Sequence, residues 1–442
     1  MEGSDQAPHD IENPCIPLVI SMSEELDCLS PLSSLCCIYR VPERLRRAYP
    51  PQVVSMGPLH QGKECLKAME DHKKRYLQDY ILWTRVSLAD YVQKVKDQEA
   101  KLRSCYAETI QVSSDEFVRI ILVDAASIIE VLLRYCFDEL QDENDRIFNK
   151  PWMLQDVWPD MRLLENQLPF FILEELFDPK KIKVSSNNNN TERFSMLNLC
   201  HNFFKTLMHI EGTDGNMEKL CASKVEHFVD FCRNLYLPLP LKPPAKGRLE
   251  TLKHTQHHRA GVKFKVGSPK NLFDIQFGNG ILEIPKLAIS DETELTIRNL
   301  LAFEQCHCME NYINDYVVTM DCFVNTQPIY TSATVNTAKD VELLVKHGIV
   351  ENMLGDSSGG STLINNLADG VIVDSNDFYF AILCADLNKY CRTSWHKWQA
   401  NLRQNYCNTP LATISIAAPI FLLILTFIQA VCSVISALPS KC

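Results

Sequence analysis

Gly355-Asp356-Ser357-Ser358-Gly359-Gly360 has the outline of a serine nucleophile held in a glycine-rich loop. It carries one serine more than the serine-protease form, and the surrounding sequence has helical character where that fold is built of strands. A turn is therefore the better reading. His254, His257 and His258 have metal-ligand spacing, and Cys306-His307-Cys308 offers two thiols and an imidazole. Zinc takes four ligands in a tetrahedron, and no spacing joins these clusters into one site. A solvated basic loop over residues 253–259 accounts for the first, and core cysteines at a helix end for the second. Asp124 stands among Ile120, Ile121, Leu122, Val123, Ile128 and Ile129. Buried alone it would cost several kcal/mol, so it needs a partner. It is either one half of a structural ion pair or cap, or a catalytic acid. No glycine-rich phosphate loop, G-x-S-x-G elbow or H-E-x-x-H motif is present. The sequence thus points to no catalytic residue, no cofactor and no metal.

The chain has 442 residues, of which 46% are hydrophobic, enough for a sizeable folded core. Its net charge of −11 argues against a nucleic-acid partner, because phosphate binding needs clustered positive charge. The 18 cysteines are scattered through apolar runs, as at Cys105, Cys136, Cys200 and Cys232. That is not the pattern of a small disulfide framework. Buried free thiols behave as small hydrophobes, so a reducing compartment is the simpler expectation.

The elements that must position these residues read as mainly helical with a small sheet, an α+β chain. Residues 1–35 are acidic and proline-broken and are expected to be a disordered arm. A helical half follows over residues 36–236. It contains an amphipathic helix through Leu66, Met69, Lys73, Tyr76, Leu77, Tyr80 and Ile81, with Lys73 lying along the stripe by its alkyl stem. A charged helix spans 88–106 and a core helix 117–137. Another helical region, 160–177, is interrupted by Pro169. The asparagine run 187–190 marks a surface loop, and the proline-rich stretch 237–247 a connector. The second half, 248–408, is expected to pack with the first as one unit. Alternating Val262–Val266, Phe273–Phe277 and Leu282–Ile284 suggest an antiparallel meander over 262–284. Helices return at 291–323, opened by a capping box of Asp291 and Glu294, and at 337–347, closed by Gly348.

Residues 404–440 carry no charged side chain, and residues 414–438 contain fourteen Leu, Ile, Phe or Val. Insertion scales assign such a stretch roughly −4 to −8 kcal/mol before its proline, glutamine and serines are counted. The expectation is a transmembrane helix from Ile414 to Leu438, with the lipid bilayer as its partner. Lys389, Arg392, Lys397 and Arg403 precede it and only Lys441 follows. The positive flank, with no secretory signal at the start, implies a tail-anchored, single-pass protein with its bulk in the cytosol.

Several phrases together resemble the plant family called domain of unknown function 247, or UPF0481. They are Tyr39-Arg40-Val41-Pro42, the run Tyr49-Pro50-Pro51-Gln52-Val53-Val54-Ser55-Met56-Gly57-Pro58-Leu59-His60, and Met69-Glu70-Asp71-His72-Lys73-Lys74-Arg75-Tyr76-Leu77. The most specific is Leu163-Leu164-Glu165-Asn166-Gln167-Leu168-Pro169-Phe170-Phe171. Ala260-Gly261-Val262-Lys263-Phe264, Ile284-Pro285 and Arg298-Asn299-Leu300-Leu301-Ala302-Phe303-Glu304-Gln305-Cys306 follow. Val123-Asp124-Ala125-Ala126 departs from the family form, which usually has glycine after the aspartate. The resemblance marks Asp124, Glu165, Asn166, Gln167, Pro169, Arg298, Asn299, Glu304 and Gln305 as the family's structural signature. It implies a membrane-anchored plant protein with no assigned activity, some members being pollen-side determinants of self-incompatibility. A non-enzymatic recognition protein with an unidentified protein partner is the leading expectation. The alternative is a membrane-tethered, hydrolase-like enzyme whose site is assembled from distant residues.

Overall fold

The computed structural model describes residues 15–27, 34–42, 50–182, 195–208, 214–237, 262–267, 272–324, 344–353, 363, 366–368, 371–374, 376–392 and 410–437. The chain divides into two compact units. The first holds residues 1–41, 49–203 and 224–231, and the second residues 42–48, 204–223 and 232–442.

The helices in chain order are α1 (Ile16–Asp27), α2 (Lys67–Thr84), α3 (Leu88–Asp97), α4 (Glu99–Arg103), α5 (Ser114–Cys136), α6 (Pro151–Asp160), α7 (Phe170–Leu176), α8 (Met196–Leu207), α9 (Asp214–Ala222), α10 (Phe228–Tyr236), α11 (Asp291–His307), α12 (Tyr312–Val324), α13 (Ala381–Arg392) and α14 (Pro410–Ala437). The strands are β1 (Lys263–Val266), β2 (Gln276–Gly278), β3 (Ile281–Ile284), β4 (Leu287–Ile289) and β5 (Val350–Asn352).

The first unit is built around α5, which packs on α2, α3 and α7. Ser113 opens it by accepting the Glu116 N–H, satisfying one of the orphan donors of a helix start. Because neighbours surround it, α5 is buried on nearly every face, from Phe117 to Arg134. Each Leu, Ile or Phe so buried contributes about 1.5–3 kcal/mol. Its charged residues have partners. Arg134 bonds Glu130 at 2.9 Å, Asp145 at 2.7 Å and Asp79 at 2.6 Å, and Tyr76 Oη donates to Asp145. α2 ends at Arg85, whose left-handed φ of 56° lets its N–H reach the Ile81 carbonyl.

In the second unit Phe264, Phe277 and Leu282 line up across a three-stranded sheet of order β1-β3-β2. The expected antiparallel meander is corrected here. β2 and β3 form an antiparallel hairpin, but β1 lies parallel to β3 on its other edge. Asn279 and Gly280, both at positive φ (52° and 75°), fix the hairpin turn. A period of two says which residues share a face, and nothing about which edge a strand joins. A second, parallel pair, β4 with β5, was not expected at all. α11 is capped one residue earlier than the spacing implies, by Ser290, whose N–H bonds Thr293 Oγ1 at 2.9 Å.

Other expectations also change. Residues 16–27, within the arm expected to lack regular structure, form α1, with Ile16, Leu18, Val19, Ile20 and Met22 exposed. The helical region at 160–177 is two helices, α6 and α7, separated by a turn. The larger correction concerns the C-terminus. Its apolar segment is helical, as α14, but among the described residues no helix is long and apolar enough to cross a membrane. Gln429 and Ser433 lie within α14, and Ser433 Oγ donates to the Gln429 carbonyl at 2.8 Å. The transmembrane helix, the bilayer as partner and the single-pass membrane localisation therefore do not stand. The connector from residue 238, the asparagine run, the three histidines and residues 355–360 lie outside the described residues.

Candidate functional site

Two signature residues of the first unit, Asp124 and Asn166, converge with Asp160 and Lys73 on one stretch of backbone, residues 52–57, which forms neither helix nor strand. Such a segment must find partners for its own N–H and C=O groups when buried. Asp160, at the end of α6, accepts the Gln52, Val53 and Val54 N–H groups at 2.8–3.1 Å. Asn166 Oδ1 accepts the Met56 N–H at 2.7 Å, and its Nδ2 donates to the Val54 carbonyl at 3.0 Å. Asp124 Oδ2 accepts the Gly57 N–H at 2.8 Å. Lys73 Nζ donates to the Ser55 carbonyl at 2.9 Å and to Asp124 Oδ1 at 2.5 Å. Lys73 and Asp124 are each 1% exposed, so the partner that Asp124 requires is this ammonium. Burial pushes the Asp124 carboxyl up to about 6 against the pull of Lys73. Burial likewise lifts Asp160 to about 6 despite its backbone donors.

Gly57 explains why the segment closes so tightly. Its φ is +75°, and a Cβ there would sit 2.7 Å from the Gln167 carbonyl and 3.0 Å from Tyr106 Oη. Gly57→Ala should therefore lower stability by about 1–3 kcal/mol, read as a fall in thermal midpoint. An unchanged midpoint would show that the segment is not held as described.

Glu165, Gln167 and Pro169 bind the turn between α6 and α7 to its surroundings. Glu165 Oε1 accepts the Val41 N–H at 2.8 Å, and Oε2 lies 3.3 Å from His60 Nε2 and 3.5 Å from Arg40. Burial opposes it, yet His60, the Val41 N–H and Arg40 hold Glu165 below the usual carboxylate range. Gln167 Nε2 donates to the Met161 and Leu163 carbonyls at 2.7 and 2.8 Å, and its Oε1 accepts the Phe228 N–H at 2.9 Å. These carbonyls belong to the end of α6 and the turn after it. They are not groups orphaned by Pro169, which stands at the N-cap of α7. Gln167→Leu should cost about 1–3 kcal/mol in denaturant unfolding through the carbonyls and N–H left unpaired. A normal midpoint would remove Gln167 from the framework.

A second cluster lies in the other unit. Glu304, on α11, accepts the Ile313 and Asn314 N–H groups at 2.9 and 3.0 Å and bonds Arg233 at 2.8 Å. It thereby caps the start of α12, where helix N–H groups otherwise lack partners. Gln305 Nε2 reaches Asn314 Oδ1 at 2.7 Å, and Asn299 Nδ2 bonds the Leu295 carbonyl at 2.8 Å. Arg298 joins Glu294 at 2.8 Å and the Asn366 carbonyl at 2.5 Å. Beside them Asp315 accepts the Tyr379 N–H at 2.7 Å. Burial, with Glu304, Asp377 and Asp374 nearby, pushes its carboxyl up to about 8.

Asp160, Lys73, His60 and Asp315 were not singled out as site residues. No local spacing announces them, because their partners lie far along the chain. Cys306-His307-Cys308 falls at the end of α11, and among the described residues no group of three or more His, Cys, Asp or Glu could hold a metal ion.

These features define a mainly helical protein with a small sheet, whose signature carboxylates and carboxamides chiefly hold backbone. The chain belongs to the plant family DUF247, described as plant protein of unknown function, which it matches over residues 38–425. It is similar to the UPF0481 protein At3g47200 of Arabidopsis thaliana, 27% identical over 92% of this chain and 88% of that one. It is also similar to the putative UPF0481 protein At3g02645 of the same plant, 21% identical over 89% of each chain. No solved structure matches it.

Proposed function

We propose that this chain is a non-enzymatic interaction protein that recognises another protein. Cell–cell recognition or signalling, of which pollen self-incompatibility is one instance, is the setting we favour. The observation that supports this is the engagement of the signature polar groups. Asp124, Asn166 and Gln167 are 0–1% exposed and bond backbone or a buried lysine, as a framework does. A framework of this kind holds loops for contact and needs no reacting substrate. The rival, hydrolase-like reading has one residue in its favour. Ser55 Oγ is buried without a hydrogen-bond partner, and Lys73 Nζ bonds the same residue's carbonyl.

The test is capture of the full chain's partner from plant tissue, followed by reconstitution from the two purified proteins. A complex of fixed ratio, retained by Ser55→Ala, is the expected result. Hydrolysis of ester or amide substrates that disappears in Ser55→Ala, with unfolding unchanged, would replace this reading with the enzymatic one.

A further inference from the structure

Cys36 and Cys37 enter the first unit along a short extended segment that lies beside the end of α4. The Cys37 and Ile38 N–H groups both donate to the Cys105 carbonyl at 3.0 Å, and Ala107 N–H returns to the Ile38 carbonyl at 2.9 Å. Ile38 and Tyr106 form a parallel β-bridge, which sets Cys37 opposite Cys105. Neighbouring strands lie about 4.7–4.9 Å apart, inside the 4.4–6.8 Å range over which disulfides join two Cα atoms. Residues paired across such a bridge put their side chains on the same face of the pair. His227 Nε2 holds the Cys37 carbonyl at 3.0 Å, so this backbone is fixed on both its donor and acceptor sides. Both thiols are free and buried, at 1% and 3% exposure.

We infer that Cys37 and Cys105 are a paired modification site that closes to a disulfide by exchange with a small-molecule disulfide such as oxidised glutathione. One cysteine thiolate attacks a glutathione sulfur, breaking its S–S bond and releasing one glutathione, which takes the proton. The second cysteine thiolate then attacks the mixed disulfide at the protein sulfur and releases the other glutathione. The chain loses two electrons and two protons, and oxidised glutathione gains them. The closed fold hides both sulfurs, and buried thiols are inert. Exchange therefore runs through local opening of residues 34–41, and the closed bond is shielded from reductants in the same way. The site is a latch that records the redox poise its protein has met.

The test uses the natively purified full chain in oxidised glutathione, with and without urea below its unfolding transition. Remaining thiols are alkylated and the peptides mapped by mass spectrometry. A linked Cys37–Cys105 peptide should form, at least about tenfold faster with urea because opening limits access. It should persist in Cys36→Ser and vanish in Cys37→Ser and Cys105→Ser. Amide exchange over residues 34–41 should slow at least about tenfold once the link has closed. Alkylation of both cysteines in wild type under all these conditions, or a link made by Cys36, would overturn the inference. The wild-type map decides the matter even where a serine variant fails to fold.

Discussion

Replacing Lys73 by methionine should destabilise the first unit by about 3–5 kcal/mol, the cost of leaving one member of a buried ion pair without the other. Lys73 is bonded to Asp124, Glu70 and the Ser55 carbonyl, and at 1% exposure it is shielded from bulk solvent. Converting Asp124 to asparagine in the same chain should return a large part of that loss. The asparagine oxygen keeps the Gly57 N–H bond, and the unpaired negative charge is gone. A double-mutant cycle measured by denaturant unfolding gives the coupling directly. Costs that simply add would mean the two residues do not act as a pair.

The second large effect is a dependence of stability on pH carried by Asp315. Its carboxyl is pushed up to about 8 in the folded chain, from a value near 4 when unfolded. A raised carboxyl binds its proton more tightly in the fold. Its stabilising contribution is therefore complete below about pH 4 and is lost as the pH rises through about 8. At 1.36 kcal/mol per unit, the change across that window is on the order of 5 kcal/mol. Asp315→Asn stays neutral at every pH and can still accept the Tyr379 N–H. It should exceed wild type by only about 1.4 kcal/mol near pH 5 and by on the order of 5 kcal/mol near pH 9. Hydrogen exchange of the α12 amides at the two pH values reads this locally. A wild-type chain whose α12 protection does not fall with pH would rule the mechanism out.

Local sequence carried the helices well and the contacts between them poorly. α2 and α5 declare themselves by apolar spacing, and the isolation of Asp124 among aliphatic residues announces that it must be paired. Its partner sits 51 residues earlier on a different helix. Nothing in either segment joins the two, since pairing is decided by how α2 packs on α5. The same holds for Asp160, which serves residues more than a hundred positions away. The β2–β3 hairpin is legible because Asn279-Gly280 supplies a turn with positive φ at both positions. The parallel placement of β1 is not, because it depends on which edge stays open after the hairpin forms. The C-terminal segment shows the opposite failing. Composition alone suggested a membrane span, whereas among the described residues no helix is long and apolar enough to cross a membrane.

The framework has an implication for the order in which the protein can be made. Residues 224–231 return to the first unit after the chain has left it, and they bring three contacts with them. The Phe170 N–H bonds the Glu226 carbonyl at 2.7 Å, the Phe228 N–H bonds Gln167, and His227 holds the carbonyl of Cys37. A nascent chain that has emerged only as far as Ile182 therefore has α2, α5 and α7 but an unfinished turn around Gln167. At about 5–20 residues per second, the further forty or so residues take roughly 2–8 s to synthesise. For that interval the signature glutamine faces an empty place, and the first unit waits on a segment encoded well downstream of its own core.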